Sequence, residues 1–144
     1  MPHNRVHISS GSAFERRVGY SRAIVEGPWI FVSGTTGYDY ATMSLADGVE
    51  AQCAQALDNI KSALAEAGAS FDDVVRVTYL LPDRDDFEAC WPLLSEAFAV
   101  ARPAATMMVA GLIEPEMRIE IEVTAYVEAG RSQTKSDGGG DDLA

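Results

Sequence analysis

The sequence is short of positive charge. It carries 11 lysines and arginines against 22 aspartates and glutamates, a formal net charge of −11. Such a field repels a phosphate backbone. The one local basic pair, Arg16-Arg17, is too small to reverse it, so no nucleic-acid partner is expected. Histidine and cysteine are scarce too, with two of each. His3 and His7 are too few for a metal centre, and Cys53 and Cys90 fit neither C-x-x-C nor a zinc spacing, so no metal is expected. No apolar run approaches the ~20 residues of a membrane span, and the N-terminal PHNRVHISSGS lacks the apolar stretch of a secretory signal. A soluble, cytoplasmic protein is the expectation. One further shortage is local: in RPAATMMVAGL, residues 102–112, nothing after Arg102 ionises before Glu114. Taken alone, this segment reads as a buried strand.

What is present fits one domain with a real core: 144 residues, 47% hydrophobic and 23% charged. Residues 1–129 make up that domain. From Gly130 on, GRSQTKSDGGGDDLA has no apolar pattern, so 130–144 is expected to be a disordered tail. YSRAIVEGPWIFVSG predicts a β-hairpin, with runs 20–25 and 29–33 around Glu26-Gly27-Pro28. Asp47 is the expected N-cap of a helix, with Glu50 three residues on as in a capping box. Val49, Cys53, Ala56, Leu57, Ile60, Leu64 and Ala67 share one face of that helix, and Gly68 stops it. DVVRVTYLLP predicts a strand ended by Pro82. A second helix is expected over about 85–100 with Phe87, Leu94 and Phe98 inward, kinked or restarted at Pro92.

Two strands follow, AATMMVA and RIEIEVTAYVE. In the last, Ile119, Ile121, Val123, Ala125 and Val127 point one way, and Glu120, Glu122, Thr124, Tyr126 and Glu128 the other. The order β-β-α-β-α-β-β predicts an α+β domain, with two helices on one face of a mixed sheet. The open face keeps some apolar residues and wants a partner.

The local signals for chemistry are weak. GTTG at 34–37 follows a strand without basic neighbours and reads as a plain turn. Ser33 is in no G-x-S-x-G elbow and reads as a hydrogen-bonding strand end. Glu120 and Glu122 share a strand face, which by default is solvated or an interface.

The pieces GYSRAI, FVSGTTGYD, AQALDNIKSALAEAGAS, DVVRVTYLLPDRDDF, RPAAT and IEIEVTA keep an order and spacing that resemble the YjgF/RidA (reactive intermediate deaminase) family from about Val18 to Glu128. The resemblance implies a chorismate-mutase-like fold with a six-stranded sheet, assembled as a homotrimer with ligand clefts between subunits. It also implies cofactor-free hydrolysis of imines and enamines, such as 2-aminoacrylate, to 2-keto acids and ammonia. Carried over by residue, the family's tyrosine matches Tyr20, its serine Ser33 and its water-positioning glutamate Glu120. Its carboxylate-gripping arginine falls on Ala105, a frequent cysteine on Met107 with Thr106 between them, and a helix asparagine on Trp91. The anchor is therefore absent. A hydrogen bond to a charged group is worth about 1.5–3 kcal/mol, so the loss weakens carboxylate binding by roughly one to two orders of magnitude. Tyr20, Trp91, Ala105 and Met107 suit a neutral or aromatic ligand instead, and Arg22, two residues from Tyr20, is the candidate substitute cation. Arg102 precedes a proline and is expected to be extended. The competing reading is a ligand-binding or interaction trimer without chemistry on the same scaffold.

Overall fold

The computed structural model describes residues 5–128; the expected tail, 130–144, lies outside the described residues. Six strands form one mixed sheet: β1 (Val6–Ile8), β2 (Ala23–Glu26), β3 (Trp29–Thr35), β6 (Val74–Leu81), β7 (Ala104–Val109) and β8 (Glu120–Tyr126), in the spatial order β1-β2-β3-β8-β6-β7. Among the described strands only β6 and β7 run parallel, and the connection between them carries a helix, as a parallel pair requires. A two-stranded ribbon, β4 (Tyr38–Asp39) and β5 (Ser44–Leu45), stands apart from the sheet. The helices are α1 (Ala13–Val18), α2 (Val49–Glu66) and α3 (Phe87–Ala97). No helix among the described residues is long and apolar enough to cross a membrane.

The alternation in β8 governs the layering. Ile119, Ile121, Val123, Ala125 and Val127 are all buried and meet Cys53, Ile60 and Leu64 of α2. Helix α2 ends in a Schellman arrangement: Gly68 lies at φ +81°, Ala69 N–H donates to Leu64 O (2.8 Å), and Gly68 N–H donates to Ala65 O (3.0 Å). Its start differs from expectation. Gly48, at φ +90°, is the N-cap and makes no side-chain cap, so Asp47 and Glu50 form no capping box. The positive φ turns the chain at Gly48 and leaves Asp47 one residue too early.

Other boundaries move as well. The hairpin's first strand begins at Ala23, so Tyr20 and Arg22 sit in the link before it. The second helix is a 3-10 turn over Arg84–Asp86 followed by α3, which is continuous across Pro92. Proline there removes one donor, the N–H that would reach the Glu88 carbonyl. The segments β1, α1 and the β4–β5 ribbon have no counterpart among the elements that sequence periodicity predicts. They are short and held by polar contacts. Glu15 of α1, 5% exposed, accepts from Ser9 Oγ, Ser10 N–H and Ser10 Oγ and so ties the N-terminal strand to the helix.

Among the described residues, two apolar surfaces are exposed. On the open face, Trp29 packs edge-on against Tyr126 with ring centroids 4.8 Å apart, and Phe31 stacks beside Trp29. The second is β7. The expected buried strand is exposed at every position, with Met107, Met108 and Val109 each about half accessible. It is the sheet's edge strand, and the described residues leave it open to solvent.

Cys53 on α2 and Cys90 on α3 are free thiols at 0% exposure. Hydrogen bonding with Cys90, then burial, pushes the Cys53 thiol up. Neither thiol is expected to react with a thiol-specific chromogen until the chain unfolds; reaction of the native protein within minutes would show that the α2–α3 contact opens.

Candidate active site

The site residues fall into two cavities. The first, about 270 Å³, gathers Tyr20, Arg22, Gly34, Tyr38, Tyr40, Glu114 and Glu120 from separate chain segments. Tyr20 follows the αL glycine that ends α1: Gly19 lies at φ +96°, and the Gly19 and Tyr20 N–H groups both donate to Glu15 O (2.9 and 3.0 Å). Arg22 is 5% exposed. Its Nη1 donates to Tyr40 Oη (2.8 Å) and its Nη2 to Gly34 O (2.6 Å), with the guanidinium carbon 5.7 Å from the Tyr20 ring centroid and 5.9 Å from that of Tyr40. Its Nε is buried without a hydrogen-bond partner among the described residues.

Glu120 opens β8, half-buried, with its carboxylate over Gly34. A Cβ on Gly34 would lie 2.2 Å from Glu120 Oε2. GTTG is therefore no plain turn: Gly34 admits this carboxylate, and Gly37 admits the backbone of α2, where a Cβ would meet Gln52 Cα at 2.5 Å. Burial raises the Glu120 carboxyl above its ordinary range; Arg22 opposes this and Glu122 adds to it. Burial likewise raises Tyr40, with Arg22 opposing.

The approach to Glu120 is held by a residue that sequence reasoning misses. Gln52, 2% exposed, donates from Nε2 to Ala46 O and Glu116 O (3.0 Å each) and accepts at Oε1 from Arg118 N–H (2.7 Å). A glutamine on the apolar stripe of α2 is the signal that marks it. Arg118 also pairs with Asp86 (2.9 Å), tying the same segment to the start of α3.

Ser33 donates its hydroxyl to Ser21 O (2.6 Å), and its backbone N–H donates to Arg22 O (3.0 Å). It braces the link that carries Tyr20 and Arg22 and is not part of the lining. Arg102 is not extended; its φ is +45°, and its N–H donates to Phe98 O (2.9 Å), which closes the end of α3 against the pre-proline preference.

Trp91, Ala105 and Met107 line the second cavity, an open groove of about 730 Å³ between α3 and β7, with Tyr79, Phe87 and Phe98. Among the described residues its only ionisable wall is Tyr79, which burial pushes well up. Thr106 pairs with Thr78 and projects to the opposite side from Ala105 and Met107. Within one chain, then, Tyr20, Arg22 and Glu120 come together, while Trp91, Ala105 and Met107 form a separate apolar wall.

The family model described as Endoribonuclease L-PSP matches residues 10–127. A RutC family protein of Pyrococcus abyssi is 38% identical over 110 residues, covering 76% of this chain and 87% of that protein. A 2-iminobutanoate/2-iminopropanoate deaminase of Capra hircus is 36% identical over 107 residues, covering 74% of this chain and 78% of the relative. Among solved structures, a Mycobacterium tuberculosis member of the YjgF/YER057c/UK114 family superposes with a TM-score of 0.79 at 40% identity, covering 86% of this chain and all of that one.

Proposed function

The chain belongs to the Endoribonuclease L-PSP family, that of the YjgF, RidA and RutC proteins, and as a member of it we propose that it hydrolyses an imine, enamine or related C–N bond without a cofactor, in a pocket shared between the subunits of a homotrimer. One observation carries this reading. Glu120 is a half-buried carboxylate with a raised pKa that receives no hydrogen bond from any described residue, in the same cavity as Tyr20 and Arg22.

A carboxylate so placed takes a proton from water as the water adds to the imine carbon. It returns that proton to nitrogen as the carbinolamine collapses to a carbonyl and ammonia. A pKa nearer neutrality than that of an ordinary carboxylate suits both steps. The uncovered apolar edge at β7 supports assembly, because a neighbouring subunit would bury it and bring Trp91, Ala105 and Met107 toward another chain's Glu120.

The apolar groove and Ala105 argue for a substrate other than a simple 2-imino acid. Arg22 is a poor replacement anchor, since two of its nitrogens are committed to Tyr40 and Gly34. The family model's name raises cleavage of RNA as a second activity; a net charge of −11 opposes a polyanion.

Light scattering should give about three times the 15.5 kDa chain mass; a monomer at micromolar concentration removes the shared pocket. 2-Aminoacrylate made in situ by a serine dehydratase should be hydrolysed slowly, and Ala105→Arg should speed pyruvate release. Rapid hydrolysis by the wild type that survives Arg22→Ala would show that the carboxylate is held by some other group.

A further inference from the structure

The Glu120 cavity holds a second carboxylate that the proposed reaction does not use. Glu114, in the loop between β7 and β8, lines the same cavity, and its Oε1 accepts the hydroxyl of Tyr38 from β4. This bond also pushes the Tyr38 phenol up. The cavity thus sets two carboxylates against one guanidinium. That guanidinium is engaged by Tyr40 and Gly34, and its remaining Nε is buried. Glu120 is a half-buried acceptor that no described residue supplies with a donor. The aromatic rings of Tyr20 and Tyr38 share the walls, and an aromatic face attracts a cation. An anionic ligand would meet excess negative charge here, and the chain's overall charge of −11 has the same sign.

We infer that this cavity takes a ligand whose reacting end is a cation: a protonated imine or amine with no carboxylate on the reacting carbon, its N–H groups donating to Glu120 and Glu114. For the reaction itself this rests on the hydrolysis proposed above. One iminium ion and one water give one carbonyl compound and one ammonium ion, so atoms and charge balance. A C–O bond forms and the C–N bond breaks with its electron pair passing to nitrogen, so nothing is oxidised or reduced. The product is an aldehyde or ketone in place of a 2-keto acid. The reaction class that supplies such a substrate is the two-electron oxidation of an amine.

Benzylamine, benzyl alcohol and benzoate present one ring with a positive, neutral or negative head at neutral pH. Titrated into the full-length protein by calorimetry and amide NMR, benzylamine should bind at least about tenfold tighter than the other two. It should also shift the amides of Tyr38, Glu114 and Glu120. Glu114→Gln keeps an acceptor for Tyr38 but removes the charge. It should lose about tenfold of the benzylamine affinity and leave benzyl alcohol unaffected. Benzoate binding as tightly as benzylamine, no benzylamine binding at millimolar concentration, or unchanged binding in Glu114→Gln would each overturn the inference. The two readings fail separately. Glu120-dependent hydrolysis of 2-aminoacrylate without benzylamine binding removes the cationic ligand and keeps the reaction. Benzylamine binding with no imine hydrolysed removes the reaction and keeps the ligand.

Discussion

Glu120→Gln is expected to lower imine hydrolysis by about 10²–10⁴-fold while making the folded protein more stable at neutral pH. The two effects share one cause. Burial in the cavity raises the Glu120 carboxyl, so the folded chain holds that proton more tightly than the unfolded chain does. The stability this confers is fully present below the unfolded pKa and is lost as pH rises through the folded one. Above that pH, the wild type holds a charged carboxylate against burial and the nearby Glu122. Glutamine keeps the shape and carries no charge. Melting curves of the two proteins should therefore coincide below the ordinary carboxylate range and separate toward neutral pH, with the variant higher. The rate should likewise fall on the acid side, with its midpoint above that of an ordinary carboxylate. A Glu120→Gln protein that keeps full activity, or that melts lower than the wild type at neutral pH, would show that Glu120 is not the strained, reactive group of this cavity.

Gly34→Ala and Gly37→Ala make the same chemical change three residues apart and should give opposite results. At Gly34 the new methyl would lie 2.2 Å from Glu120 Oε2 and 3.0 Å from its Cδ. Both belong to the end of a flexible side chain that can swing aside. Stability should change by less than about 1 kcal/mol. Activity should drop by about 10²-fold, because displacement of a reacting group by roughly 1 Å is enough. At Gly37 the methyl would meet Gln52 Cα at 2.5 Å and Gln52 O at 2.7 Å. That is helix backbone, and it cannot move without disturbing the three hydrogen bonds of a buried glutamine. Overpacking of this kind costs about 1–3 kcal/mol, or on the order of 5–10 °C in melting temperature. Normal hydrolysis by Gly34→Ala would mean that the carboxylate does not work from its place over that glycine. A Gly37→Ala protein as stable as the wild type would mean that the loop does not press on α2.

These two glycines show where reading a sequence reaches its limit. Both are visible there, yet GTTG after a strand reads as a turn. Each is glycine because a distant segment passes close by, and spacing along the chain does not reveal a close approach. Gln52 and Glu15 are similar. Each is a polar residue whose burial makes sense only once the backbone groups it serves are in place. The strand at 104–109 misleads for a related reason. Its apolar composition suggests burial, yet it lies at the edge of the sheet and is exposed at every position among the described residues.

Elements that rest on short-range periodicity are legible without coordinates. The two-residue alternation of β8 puts Ile121 and Val123 in the core and Glu120 on the other side, and the stripe from Val49 to Leu64 makes α2. Matching motifs also point to Tyr20 and Glu120 as partners, and the structure brings them to one cavity. Their surroundings emerge only from the folded chain. Arg22 is held by Tyr40 and Gly34, Glu114 is joined to Tyr38, and Trp91 and Met107 stand on a different wall. Helix and strand patterns depend on neighbours a few residues apart, whereas the charge and shape of a cavity depend on side chains that meet only when the sheet is assembled. Tyr38 and Glu114 are 76 positions apart in the chain.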